Sequence, residues 1–257
     1  MTHPAVTIER RGSSAIVRFD RQGRANAIDF AMMDALTEAA RSFEQDSDTA
    51  AIVLTGAAGV FCGGMDLRDP AFARLDGMSL NEVRALAECG PRMVRAWASV
   101  EIPTIAAIEG PCIGGGLALA AICDFRIAGV AARFAAPEVA VGLNMGWHSV
   151  PRLVSLIGEQ TTRRLLLLGE QWDSDEALRR GFVDEVSHAT AALDAALAMA
   201  EVLGSRPPAP TRMVKRQLES IRGSGFAESR LDKDQHALAW LSEDFRRAVA
   251  RFAKSGS

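Results

Sequence analysis

Three observations predict an α/β protein. Strand and helix signals alternate through the first half of the chain, two glycine-rich turns each follow an apolar extended run, and the pattern turns helical after Ser149. Residues 6–9 and 15–19 read as a hairpin turning at Gly12 and Ser13. Asp29 is placed to cap a helix whose apolar stripe is Met33, Leu36, Ala40 and Phe43. Residues 50–55 give the next strand. A loop of mixed charge, 68–79, leads to a helix over 80–100 that bends at Gly90-Pro91. Then come a strand at 102–108, a glycine-led helix, a strand at 125–128 and an extended piece at 133–136.

Beyond Ser149, short helices are expected at 150–157, 161–168 and 174–180, the third capped by Asp173 or Ser174. Residues 189–203 read as an alanine-rich helix closed by Gly204. Arg206-Pro-Pro-Ala-Pro210 marks a boundary between a core, 1–205, and a helical region, 206–257, with helices around 211–221 and 226–253. Pattern counting gives no internal repeat.

Composition narrows the function. The chain has 257 residues, 48% of them hydrophobic, enough for one sizeable core. Its net charge of −3 mixes both signs, which argues against a nucleic-acid partner. The first residues lack the apolar stretch of a signal peptide. The most apolar run, 111–123, is too short and too glycine-rich for a bilayer, and Asp124 closes it. A soluble cytoplasmic protein with no membrane partner is therefore expected. Cys62, Cys89, Cys112 and Cys123 lack paired zinc spacing and the four histidines are scattered, so no metal site is expected. Cys112 and Cys123 read as buried thiols. Phosphate-loop, dinucleotide and nucleophile-elbow motifs are absent.

Two segments carry chemistry. Gly110-Pro-Cys-Ile-Gly-Gly-Gly-Leu117 sets three consecutive glycines at the mouth of an apolar helix. Free N–H groups and the positive end of the dipole suit that junction to an anion, or to an oxygen that becomes one. A turn needed only for strand–helix packing is the competing reading. Val60-Phe-Cys-Gly-Gly-Met-Asp-Leu67 is a second small-residue loop after a strand. Two such loops converging on one point supply two donors to one oxygen.

On these residues the chain resembles the crotonase, or enoyl-CoA hydratase/isomerase, superfamily. Arg21-Gln-Gly-Arg-Ala-Asn-Ala-Ile28, Ala136-Pro-Glu-Val-Ala-Val-Gly-Leu143, Val150-Pro-Arg-Leu-Val154, Ser242-Glu-Asp-Phe245 and Phe252 extend the likeness over most of the chain. The resemblance implies a crotonase-like spiral of β-β-α units with a helical C-terminal region that mediates trimers or hexamers. It implies an acyl-CoA thioester substrate, so that coenzyme A arrives with the substrate and no separate cofactor is needed. By resemblance, the amides of Met65 and Gly115 hold the thioester oxygen and Glu138 moves the proton. The implied CoA contacts are Arg24, Ala25, Gly64, Asp66, Leu67 and Gly114, with Phe252 and Lys254 reaching a neighbouring subunit's nucleotide.

Glu138 stands among apolar neighbours, and desolvation there raises a carboxyl toward the range useful for proton transfer. A surface glutamate at a corner is the alternative. Family hydratases with two glutamates carry the other in Gly-Gly-Gly-x-Glu, where this chain has Ala118. A methyl group cannot position water, so double-bond isomerisation or an atypical hydration is expected. His148 or Asn144 is a candidate to orient water, although a histidine beside Trp147 can simply pack. Arg24 supplies the charge of the lysine usual where Gly23 stands, unless it is merely solvated. Met65, Leu117, Met145 and Trp147 are candidates for the acyl tunnel, or ordinary core. Two other functions fit the same motifs: a non-catalytic acyl-CoA binding protein, and a thioester decarboxylase or hydrolase using His148.

Overall fold

A computed structural model describes residues 5–188, 191–226 and 232–254. Strands β1 (Val6–Arg11) and β2 (Ser14–Phe19) form the expected hairpin, and α1 (Phe30–Arg41) follows, its Met32 amide donating to the cap Asp29. After β3 (Ala51–Thr55) come α2 (Pro70–Ala73), α3 (Leu80–Ala87) and α4 (Cys89–Ser99), then β4 (Thr104–Ile108) and β5 (Pro111–Ile113). The helix α5 (Gly115–Ile122), strands β6 (Phe125–Gly129) and β7 (Arg133–Ala135), and α6 (Ser149–Leu167) complete the middle of the chain. The remainder is β8 (Gln171–Asp173), α7 (Ser174–Arg179), β9 (Glu185–Ser187), α8 (Ala192–Gly204), α9 (Pro208–Phe226), α10 (Asp232–Trp240) and α11 (Glu243–Lys254).

A six-stranded sheet has the order β1-β2-β3-β4-β6-β9, antiparallel at its first pair and parallel thereafter. Parallel strands are covered on both faces, so they read as unbroken apolar runs; every residue of β3 and β4 is buried. On one face Ala51, Val53, Ile105 and Ala107 meet Ala192, Ala196 and Ala200 of α8, a one-turn ladder of small side chains. On the other, Ile52, Leu54, Ala106 and Ile108 pack with Met33, Leu36, Trp97 and Leu119.

A second sheet, β5-β7-β8, stands apart from the first. A parallel bridge between Cys62 and Cys112 joins the first glycine loop to its edge, and another pairs Ile28 with Met65. Cys62 N–H donates to the Pro111 carbonyl at 2.8 Å, and Ile113 N–H donates to the Cys62 carbonyl at 2.9 Å.

Several boundaries differ from the sequence expectation. The helices at 150–157 and 161–168 form the single element α6, with Gly158 at φ 75° and ψ 159° breaking its course. Strands β8 and β9 interrupt the region expected to be wholly helical. Each is three residues long and is defined by distant partners, β7 and β6. The long helix over 80–100 divides at Glu88, ahead of Gly90-Pro91. Near the C-terminus, α10 and α11 replace one helix, with Ser242 between them bonding the Phe245 amide. The expected helix start at Ala189 and the segment 227–231 lie outside the described residues.

Helix α9 is fastened to the core by a buried cation. Lys215 Nζ donates to the Ile102 carbonyl at 2.8 Å and pairs with Asp124 at 2.7 Å. Asp124 in turn accepts from the Thr104 amide, so one carboxylate links α9 to the start of β4. Replacing Lys215 by Met strands that carboxylate, and a loss on the order of 3 kcal/mol in urea-unfolding free energy is expected. An unchanged midpoint would show that the pair is not what holds α9.

Candidate active site

The first loop is shaped by its neighbours on both sides. Ile28 N–H donates to the Gly64 carbonyl at 2.7 Å, and Asp66 N–H donates to the Ile28 carbonyl at 2.9 Å. In a parallel bridge of this kind the intervening residue turns its own N–H and C=O away from the partner. Met65 therefore presents its amide on the side opposite Ile28, and that N–H has no main-chain acceptor among the described residues. Gly64, at φ 99°, makes the bend possible.

The second loop enters α5 through Gly114 at φ 52° and ψ −111°, a conformation that only glycine adopts readily. The next amide, Gly115, opens the helix and is one of the donors that no preceding turn can satisfy. Each of the three glycines also permits a different close approach. A Cβ on Gly114 would collide with Glu138 Oε1, one on Gly115 would lie 2.5 Å from Trp147 Cζ3, and one on Gly116 would lie 2.6 Å from Cys62 Cβ. The carboxyl, an indole and the other loop thus crowd against one glycine run.

Glu138 begins a 3-10 turn, Glu138–Val141, after Pro137. Its carbonyl accepts from the Leu143 amide at 2.9 Å, which fixes the turn. Although the residue is only half-buried, its Oε2 is out of solvent and has no hydrogen-bond partner among the described residues. Burial pushes the carboxyl up to about 7, against a hydrogen bond from its own amide that acts in the opposite sense.

Most of the predicted residues meet in one cleft. Arg24, Ala25, Gly64, Met65, Asp66, Leu67, Gly114, Glu138 and Phe252 line a space of about 390 Å³. A smaller cavity of about 30 Å³ is lined by Met65, Gly115, Ala118, Glu138, Met145, Trp147 and His236, with Leu143 and Gly146. Leu117 faces the apolar core. Asp66 is buried and pairs with Arg21 at 2.7 Å and Arg24 at 3.2 Å. Burial alone would raise its carboxyl; hydrogen bonds from Arg21, the Arg68 amide and Arg24 outweigh it and hold the group below its ordinary range. Arg24 keeps 54% of its side chain exposed at the cleft mouth, so its charge reaches solvent as well as Asp66.

One expectation requires correction, that His148 stands beside Glu138. His148 does not join Glu138: its Nε2 lies 3.0 Å from Arg95, and it lines a separate cavity with Glu88, Arg95 and Lys233. Trp147 and His148 both have left-handed backbone, φ 61° and 55°, and the two side chains border different cavities. Phe252 lines the cleft of its own chain, where its carbonyl accepts from Arg68 Nε at 3.1 Å. Lys254 borders another cavity, with Val139, Gly142, Asp244 and Arg247.

His236 was not legible as a site residue, because no local motif surrounds it. It comes from α10, carried inward by Trp240, which sits among Phe30, Phe72 and Phe245. The only local sign is an apolar stripe, Ala237 and Trp240, on the same helix. Arg68, at the cleft mouth, was likewise hidden in a loop of mixed charge.

Spiralled β-β-α turns, a second small sheet and two bridged glycine loops define a crotonase-type α/β protein. A family model described as enoyl-CoA hydratase/isomerase matches residues 9–256, and the chain belongs to that family. The "Probable enoyl-CoA hydratase echA8" of Mycobacterium bovis is 31% identical over 253 residues, covering 98% of this chain and 96% of that protein. The "Short-chain-enoyl-CoA hydratase" of Clostridium acetobutylicum is 31% identical over 241 residues, covering 93% and 87%. Among solved structures, an enoyl-CoA hydratase/isomerase from Mycobacterium paratuberculosis superposes with a TM-score of 0.89 at 23% identity, covering 97% of this chain and 99% of that one. Pseudomonas aeruginosa DspI gives a TM-score of 0.79 at 29% identity, covering 98% and 97%.

The raised Glu138 carboxyl has a consequence for folding. Between its ordinary 4.5 and about 7 the unfolded chain ionises this group while the folded chain resists, so stability is lost as pH rises through that window. Glu138→Gln removes the loss. The melting temperature of the variant relative to the parent should therefore climb between pH 4.5 and 7 and level off above; a constant difference would place the carboxyl in solvent.

Proposed function

We propose that this protein is an acyl-CoA enzyme that moves a proton on an enoyl thioester through Glu138, with the thioester oxygen held by the amides of Met65 and Gly115. The observation that carries this reading is Glu138 itself, whose Oε2 is out of solvent and unpartnered among the described residues while Oε1 lies against the backbone at Gly114. An enolate oxygen needs fixed donors that do not reorganise as charge develops, and two main-chain N–H groups on braced loops meet that need. A carboxyl poised near 7 exchanges its proton at neutral pH.

Isomerisation needs only one such group. Glu138 takes the proton from C2 of a 3-enoyl thioester, the electrons shift into a dienolate, and the same carboxyl returns the proton to C4. Ala118 contributes only a methyl to the inner cavity, which supports a reaction that departs from the two-carboxylate hydration of relatives. The 3'-phosphate and pyrophosphate of CoA are matched by Arg24 and Arg68 at the cleft mouth. A stripe of exposed apolar residues on α9, Met213, Val214 and Leu218, supports self-association into the trimers or hexamers implied by the family.

Glu138→Gln is expected to lower kcat/KM for 3-enoyl-CoA isomerisation by about 10²–10⁴ while leaving acyl-CoA affinity within a few-fold. Activity that survives the substitution excludes Glu138 as the proton carrier. Tight acyl-CoA binding with no turnover by the parent protein makes the chain a binding module instead. The parent's log kcat/KM should rise with pH and bend near 7, because the carboxylate is the form that accepts the first proton.

A further inference from the structure

We propose that His236 holds the attacking water for hydration of a 2-enoyl thioester, taking the place of the carboxylate that Ala118 lacks. The inference rests on the acyl-CoA reading of the cleft and adds a second polar group to it. The small inner cavity is lined by both Glu138 and His236, and each carries a buried atom with no hydrogen-bond partner among the described residues: Oε2 of Glu138 and Nε2 of His236. Buried polar atoms are rarely left unsatisfied, and two on residues that line one cavity point to a small ligand shared between them. The cavity measures about 30 Å³, roughly the room that one or two water molecules need.

The hydrogen bonds fix what His236 offers. Its Nδ1 lies 2.9 Å from Asn144 Oδ1. An amide oxygen only accepts, so Nδ1 bears the hydrogen and Nε2 presents a lone pair. Burial pushes the ring down to about 4, so it stays neutral near pH 7. A neutral imidazole of this kind accepts one hydrogen from a water and does not remove it. The carboxylate of Glu138 accepts the other. The water oxygen is then left with its lone pairs free for C3.

The step balances without an oxidant or reductant. The water oxygen bonds to C3 as its proton passes to Glu138, and the C2=C3 pair moves to an enolate on the thioester oxygen. Glu138 then gives that proton to C2, the enolate collapses, and a 3-hydroxyacyl thioester results. His236 contacts the reacting water throughout and ends as it began. Isomerisation moves no water, so it does not call on His236.

That asymmetry is the test. Hydration of but-2-enoyl-CoA and isomerisation of hex-3-enoyl-CoA are measured with the full-length parent, His236→Leu and His236→Gln. The leucine variant is expected to lose about 100-fold in hydration kcat while isomerisation and KM stay within about threefold. The glutamine variant, whose amide oxygen can accept, is expected to recover about tenfold over leucine. Hydration unchanged in His236→Leu overturns the assignment, as does a parent that isomerises but does not hydrate. A parent that turns over neither ester overturns the enzyme reading on which the proposal rests. Should the leucine variant fail to fold, a crystal structure of the parent decides: a water bonded to both Glu138 and His236 supports the proposal, and a direct contact between the two side chains ends it.

Discussion

The tie between Cys62 and Cys112 is the constraint on which the rest of the molecule depends. Through two main-chain hydrogen bonds it joins the loop after β3 to the strand that leads into α5. Bonded in this way, the two glycine loops are held side by side. Gly116 lets the two chains approach, since a methyl there would lie 2.6 Å from Cys62 Cβ. Ile28 completes the brace from the far side of the first loop, and Ala135 does so for the second by accepting from the Gly114 amide at 2.9 Å.

The brace from Ile28 has a cost upstream. Arg24, Ala25 and Asn26 all adopt left-handed backbone, at φ 52°, 50° and 51°. For residues with a Cβ this costs roughly 1–2 kcal/mol each. Buried Asn26 offsets much of it: Nδ2 donates to the carbonyls of Phe19 and Phe61, and Oδ1 accepts from the Arg21 amide. Those three bonds contribute about 1 kcal/mol apiece. The reward is that the Ala25 carbonyl meets the Gly63 amide at 2.8 Å, and Arg24 is delivered to the cleft mouth.

What could be read from the amino-acid order was whatever is encoded over short distances. The strands buried on both faces, the Asp29 cap, the glycine run and Glu138 in Pro-Glu-Val all carry local signatures, and their positions agree with the fold. His236 and the short strands β8 and β9 do not, because each is defined by a partner far along the chain. His148 misled for the opposite reason: it sits close to the site in sequence but is turned toward α4. The division at residue 205 follows a run of prolines, yet α9 is bonded into the sheet through Lys215, and α10 furnishes part of the inner cavity.

Trp147 stands where two glycines make room for it, Gly90 on α4 and Gly115 on α5; a methyl on either would collide with the indole. Its ring edge therefore rests beside the amide proposed to hold the thioester oxygen. On that proposal, a thioester carbonyl bound there sets its dipole beside the indole, whose emission is sensitive to such a field. The chain thus carries an optical gauge of site occupancy in its own composition, with no added label, and stopped-flow fluorescence can follow ligand entry before any bond is made.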